Sequence, residues 1–163
     1  NAAGTVGDAA KGDDATAKQL LEQILKFDQN YVEAVNNLSY MLVDRLNRPA
    51  DALPYADRLQ SLLSRARELR LAEPDMQATI LETIGWVYFR NDRLGPAEAA
   101  LLEAVRLGPN QIASWLHLGL VQQKAGRIED ARRSLNKARD TAMKQENKFY
   151  QAEAEKALQS LPR

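Results

Sequence analysis

The chain has no cysteine among its 163 residues. Neither a disulfide framework nor thiolate metal chemistry is available, and the redox compartment stays open. The single histidine, His117, has no second imidazole or thiolate with which to complete a transition-metal set. No nucleophile or orienting carboxylate is identifiable that would make it a catalytic base. Phosphate loop, dinucleotide fingerprint and nucleophile elbow are also missing. Lys+Arg and Asp+Glu each total 22, so no net charge steers the chain toward nucleic acid or an anionic membrane. No apolar run approaches the roughly 18 residues of a membrane span. No secretion-signal pattern is present, yet the chain starts at Asn1 rather than Met and reads as a processed or excised fragment, with Asn1-Ala2 as a cloning scar. These absences leave a non-enzymatic protein without cofactor or metal, without a nucleic-acid partner and without direct membrane insertion.

What the sequence does have is a repeat. Residues 81–109 and 115–143 align without a gap at a step of 34: Leu81/Trp115, Ile84/Leu118, Gly85/Gly119, Ala97/Ala131, Leu101/Leu135 and Ala104/Ala138 fall in register. A fixed period of this size signals stacked supersecondary units, each touching only its neighbours. Ala17, Leu21 and Ile24 stand 80 residues before Ala97, Leu101 and Ala104, so residues 13–28 match the second half of a unit. The next unit spans 32–73, where Val35, Leu38, Ser39 and Leu42 replace Leu81, Ile84, Gly85 and Tyr88. Its start lies 46 residues before that of its successor rather than 34, which implies about twelve extra residues. They are expected as added turns on the second helix, through 61–73. Two regular units follow at 74–108 and 110–143, the latter capped by Asn110, and a terminal helix occupies 146–161. Residues 1–12, small and without apolar period, read as a disordered tail or linker. About seven antiparallel helices and no strand are expected.

The signature Trp115-x2-Leu118-Gly119-x2-Gln122 then Ala131-x3-Leu135-x2-Ala138, with Leu81-x2-Ile84-Gly85-x2-Tyr88 then Ala97-x3-Leu101-x2-Ala104 and Pro109, resembles the tetratricopeptide repeat (TPR) family. The residue types have a physical reason: Gly85 and Gly119 stand where two helices cross closely, opposite the small Ala97 and Ala131. Trp115, at a signature position, is expected in the core. The resemblance implies an α-solenoid wound as a right-handed superhelix, its concave face lined by the first helix of each unit and open to a partner's peptide or helix. Residues i, i+4 and i+8 share a helix face. On that face would lie Asn36, Tyr40 and Asp44, then Glu82, Trp86 and Arg90, then Leu116, Leu120 and Lys124, with His117 and Gln123 at the margins.

Of these, Asn36, Tyr40, Glu82, Trp86, Arg90, Leu120 and Lys124 are the candidate partner-binding set. Trp86 lies off the signature positions and suits a binding anchor; its plainer reading is packing against the long second helix of the preceding unit. Asn36-Asn37 could hydrogen-bond a peptide backbone. The lysine–asparagine clamp by which some TPR proteins hold a C-terminal carboxylate is not assembled, since Thr83 and His117 occupy its later places. The basic stretch 124–148 reads first as a solvated outer face.

The leading expectation is a scaffold that binds another protein in its concave groove. The alternatives are a regulatory or targeting arm of a larger enzymatic or envelope-associated protein, and self-association through the elongated second helix at 49–72. The style of the motifs looks bacterial, similar to repeats in envelope and exopolysaccharide machinery, which leaves cytoplasm and periplasm equally open.

Overall fold

The computed structural model describes residues 2–162, with side chains from Gly12 to Pro162. Among the described residues there are eight helices and no strand: α1 (Ala2–Phe27), α2 (Val32–Asp44), α3 (Pro49–Glu68), α4 (Pro74–Arg90), α5 (Leu94–Leu107), α6 (Ile112–Lys124), α7 (Ile128–Lys144) and α8 (Lys148–Gln159). The expected seven becomes eight because the half unit and the terminal helix add one each to three complete hairpins. No break in α1 marks the expected boundary near residue 12. The backbone is helical from Ala2, although Asn1 and the side chains through Lys11 lie outside the described residues. Ala2, Ala3, Ala9 and Ala10 favour that continuation, and no proline interrupts it.

Hairpins α2–α3, α4–α5 and α6–α7 stack in order, and the first helices α2, α4, α6 and α8 also touch in succession along one side. The glycines stand at close helix crossings as expected, but they meet Leu101 and Leu135 first rather than the methyl groups of Ala97 and Ala131. A Cβ on Gly85 would stand 2.6 Å from Leu101 Cγ and 3.1 Å from the Ala97 carbonyl oxygen, and one on Gly119 would stand 2.6 Å from Leu135. Where Ser39 replaces glycine, its hydroxyl is fully buried and donates to the Val35 carbonyl at 2.7 Å within its own helix. Leu38, Leu59, Ile84, Leu101, Leu118 and Leu135 are the large side chains sealed between layers. The apolar clusters follow one another along the stack, as nearest-neighbour packing requires.

Three details depart from expectation. Helix α3 stops at Glu68 rather than running to residue 73, so the insertion is part helix and part loop. Its end is a Schellman-type turn: Arg70 takes φ 57°, Arg70 N–H donates to Arg67 O, and Leu71 N–H to Ala66 O. Trp115 is only half-buried, its indole N–H donating to Pro109 O at 2.9 Å across the α5–α6 turn. Asn110 does not cap α6, which begins after Gln111 without a side-chain cap; the Asn110 carbonyl instead accepts from Gln145.

The two ends of the stack differ. α8 buries Ala154 and Ala157 while Glu153 and Lys156 face outward. α1 packs on α2 through Leu21 and Leu25 but leaves Leu20, Ile24 and a 96% exposed Phe27 uncovered. No helix of the described residues is long and apolar enough to cross a membrane.

Candidate functional site

The side lined by α2, α4 and α6 gathers most of the residues that helical spacing placed there, but in two different states. At its centre the groups are committed to one another. His117 Nδ1 and Glu82 Oε1, both buried, meet at 2.5 Å across the α4–α6 boundary. The Trp86 ring lies on the imidazole, centroids 3.8 Å apart and planes 8° from parallel, and it stacks on Phe89 as well. Its indole N–H donates to Asp44 Oδ1 at 2.6 Å, tying α4 to α2. Arg90 reaches the same carboxylate at 3.4 Å and donates to Asn47 Oδ1 at 3.0 Å, while its guanidinium sits 5.7 Å from the Trp86 ring.

Trp86 is therefore 8% exposed. It packs between α2 and α6 rather than offering a free anchor, in a core cluster that also holds Ala52 and Ala56 of the long α3. Glu82 is buried with it. Lys124 is half-exposed but ion-paired to Asp92, with its ammonium 5.4 Å from the Phe89 ring. His117 moves from the expected margin to the middle of the network. The offset of 35 between Glu82 and His117 is one repeat step plus one residue, and that is the signal in the sequence that could have found the pair.

Tyr40 sits beside this centre, its ring 6.5 Å from His117, one helical turn before Asp44. Burial, reinforced by the Glu82 and Asp44 carboxylates, holds its hydroxyl far above the usual tyrosine range. Tyr150 on α8 is raised by burial and by the same two carboxylates. The pattern search missed Tyr150, because the terminal helix carries no clear repeat signature by which to phase it.

At the two ends the inner side opens. Between α1 and α2 a cleft of about 360 Å³ is lined by Leu21, Asn36, Asn37, Tyr40, Met41 and Arg45. Asn36 Oδ1 is buried there without a hydrogen-bond partner, an acceptor with unmet capacity. Between α6 and α8 a second cleft of about 230 Å³ is lined by Leu116, Leu120 and Ala157, with Glu153, Lys156 and Ser160 at its polar edge. Asn36 and Tyr40 thus share one opening, Leu120 lines the other, and the Glu82–Trp86–Arg90 group lies closed between them. No group of three or more His, Cys, Asp or Glu is placed to hold a metal ion among the described residues.

No family model matches the chain, and no curated protein matches it. Solved structures do resemble it. The MamA RS-1 ArsTM double mutant superposes with TM-score 0.63 at 23% identity, over 84% of this chain and 70% of that one. A thermophilic TPR protein of Thermus thermophilus gives 0.62 at 20% identity, over 97% and 88%. PilW, a widely conserved type IV pilus biogenesis factor, gives 0.59 at 22% identity, over 86% and 66%. The fold of this chain is that of the tetratricopeptide-repeat proteins.

Proposed function

We propose that this tetratricopeptide-repeat fold serves as a non-catalytic scaffold that receives a peptide or helix of another protein on its inner side. The reading rests on the cleft at Asn36 and Tyr40. A buried amide oxygen without a partner accepts a backbone N–H well, and Leu21 and Met41 beside it offer an apolar seat for one side chain. Leu120 in the second cleft is the other contact point. The proposed contact set is narrower than sequence spacing suggests: Glu82, Trp86 and Arg90 shape the floor between the clefts, and Lys124 is held at its edge by Asp92.

A pull-down tests this directly, comparing the unaltered chain with an Asn36→Ala/Tyr40→Ala variant of matching circular dichroism. The expected result is a protein captured by the first and lost by the second. Equal capture by both would place the contact elsewhere and overturn the assignment. A Leu120→Asp variant then asks whether the same partner extends to the second cleft.

A further inference from the structure

The irregular unit leaves two features on the outside of the stack that the inner clefts do not use. The first is the loop after α3, where the inserted residues surface. Leu69 is 57% exposed and Leu71 68% exposed. Within 68–75 the exposed Glu68, Glu73 and Asp75 outweigh the one cation Arg70; before it Arg65 is exposed and Arg67 is paired with Glu103. The Schellman-type turn at Arg70 fixes the pair of leucines outward rather than leaving them to collapse.

The second feature is a groove of about 760 Å³ between α1 and the first half of α3. Leu25, Pro54 and Tyr55 form its apolar floor; of its four cations Lys18 is paired with Glu22 and Arg48 with Asp51, so Lys26 and Arg58 carry the surplus charge. Pro54 carries no N–H, so the Ala50 carbonyl at the groove edge lacks its helical donor and is open to an incoming backbone N–H. The groove is therefore apolar below, cationic at the rim and short of one donor. The loop is apolar at its tip and carries surplus negative charge over 68–75, while the N–H groups of Leu69, Arg70 and Leu71 donate within their own turn.

We infer that the 68–75 loop of one copy docks into the α1–α3 groove of a second copy. Leu69 and Leu71 meet Tyr55 and Leu25, and the loop carboxylates face Lys26 and Arg58. The contact cannot form within one molecule. Ten residues of helix, about 15 Å, separate Arg58 from Glu68 and hold the loop away from its own groove. Loop and groove are different surfaces, so one contact leaves a loop and a groove free, and copies add until the series closes on itself. A surface of this size makes a weak, salt-sensitive contact. The proposal is independent of the inner clefts, and its failure would leave the reading above untouched.

Sedimentation velocity on the full chain from micromolar to millimolar concentration decides it. The unaltered chain should grow in size with concentration, less so in high salt. Both Leu69→Ser/Leu71→Ser and Lys26→Glu/Arg58→Glu should stay monomeric with unchanged circular dichroism. Mixing these two variants should restore a 1:1 pair that grows no further, because each retains one intact half. An unaltered chain that stays monomeric throughout overturns the inference. So does association that survives both variants, or that is lost only when Leu20, Ile24 and Phe27 are changed to serine, which would place the contact on α1.

Discussion

Trp86 lies flat on His117, 3.8 Å between ring centroids, while the imidazole is held from the side by Glu82 and the indole N–H by Asp44. Three successive first helices are thereby joined through one aromatic pair. The groups that look most like a binding surface in the sequence are the ones that bind the repeats to each other.

Removing a partner from this cluster should cost more than its size suggests. Glu82→Ala leaves a buried imidazole facing nothing, and a loss of about 3 kcal/mol is expected. Glu82→Gln, which keeps an acceptor for an Nδ1–H, should lose less than half of that. Urea denaturation of both variants, at unchanged slope, measures the difference.

The glycines divide cleanly by what surrounds them. Gly85→Ala drives a methyl group into Leu101 and the Ala97 carbonyl, and should destabilise by about 1–3 kcal/mol. At Gly95, in the first turn of α5, an added Cβ meets nothing within 4 Å. Gly95→Ala should raise stability by roughly 0.5 kcal/mol. Thermal melts of the pair should move in opposite directions.

Several turns are closed by residues poorly suited to them. Asn47, Arg70, Asp92 and Glu146 take positive φ where Gly126 does so without strain. Arg70→Gly and Glu146→Gly should each gain about 0.5–1 kcal/mol at neutral pH, less the flexibility they add to the unfolded chain. A fall in the melting temperature of both would show that the Arg70 and Glu146 side chains contribute contacts worth more than the backbone strain.

Tyr40 and Tyr150 predict an alkaline weakness. Their folded pKa values are raised, so their contribution to stability is full below the ordinary tyrosine value near ~10 and is lost as pH climbs above it, where the unfolded chain ionises first. Tyr40→Phe should flatten that decline. Denaturant midpoints measured at pH 8 and at pH 11 test this.

Most of the architecture was readable because the 34-residue step fixes which residues face each other: Gly85 met Leu101 and Ala97, and Gly119 met Leu135, as spacing requires. The site was less readable. Helical periodicity put Asn36, Tyr40, Glu82 and Trp86 on one side correctly, but periodicity within a helix carries no information on how closely the next helix covers that side. Glu82 and Trp86 vanish under His117, one repeat away, whereas Asn36 and Tyr40 border α1, where the cleft opens. Trp115 shows the same limit in reverse: its signature position predicted burial, yet the narrow α5–α6 turn leaves its edge in contact with solvent.

The Glu82–His117 bond also sets where the stack can yield. It crosses from one hairpin to the next, so any flexing that spreads α4 from α6 must break a buried polar contact and leave both groups without a partner. On the reading proposed above, a segment seated in either cleft flanks this joined pair of hairpins and leaves the Glu82–His117 contact closed.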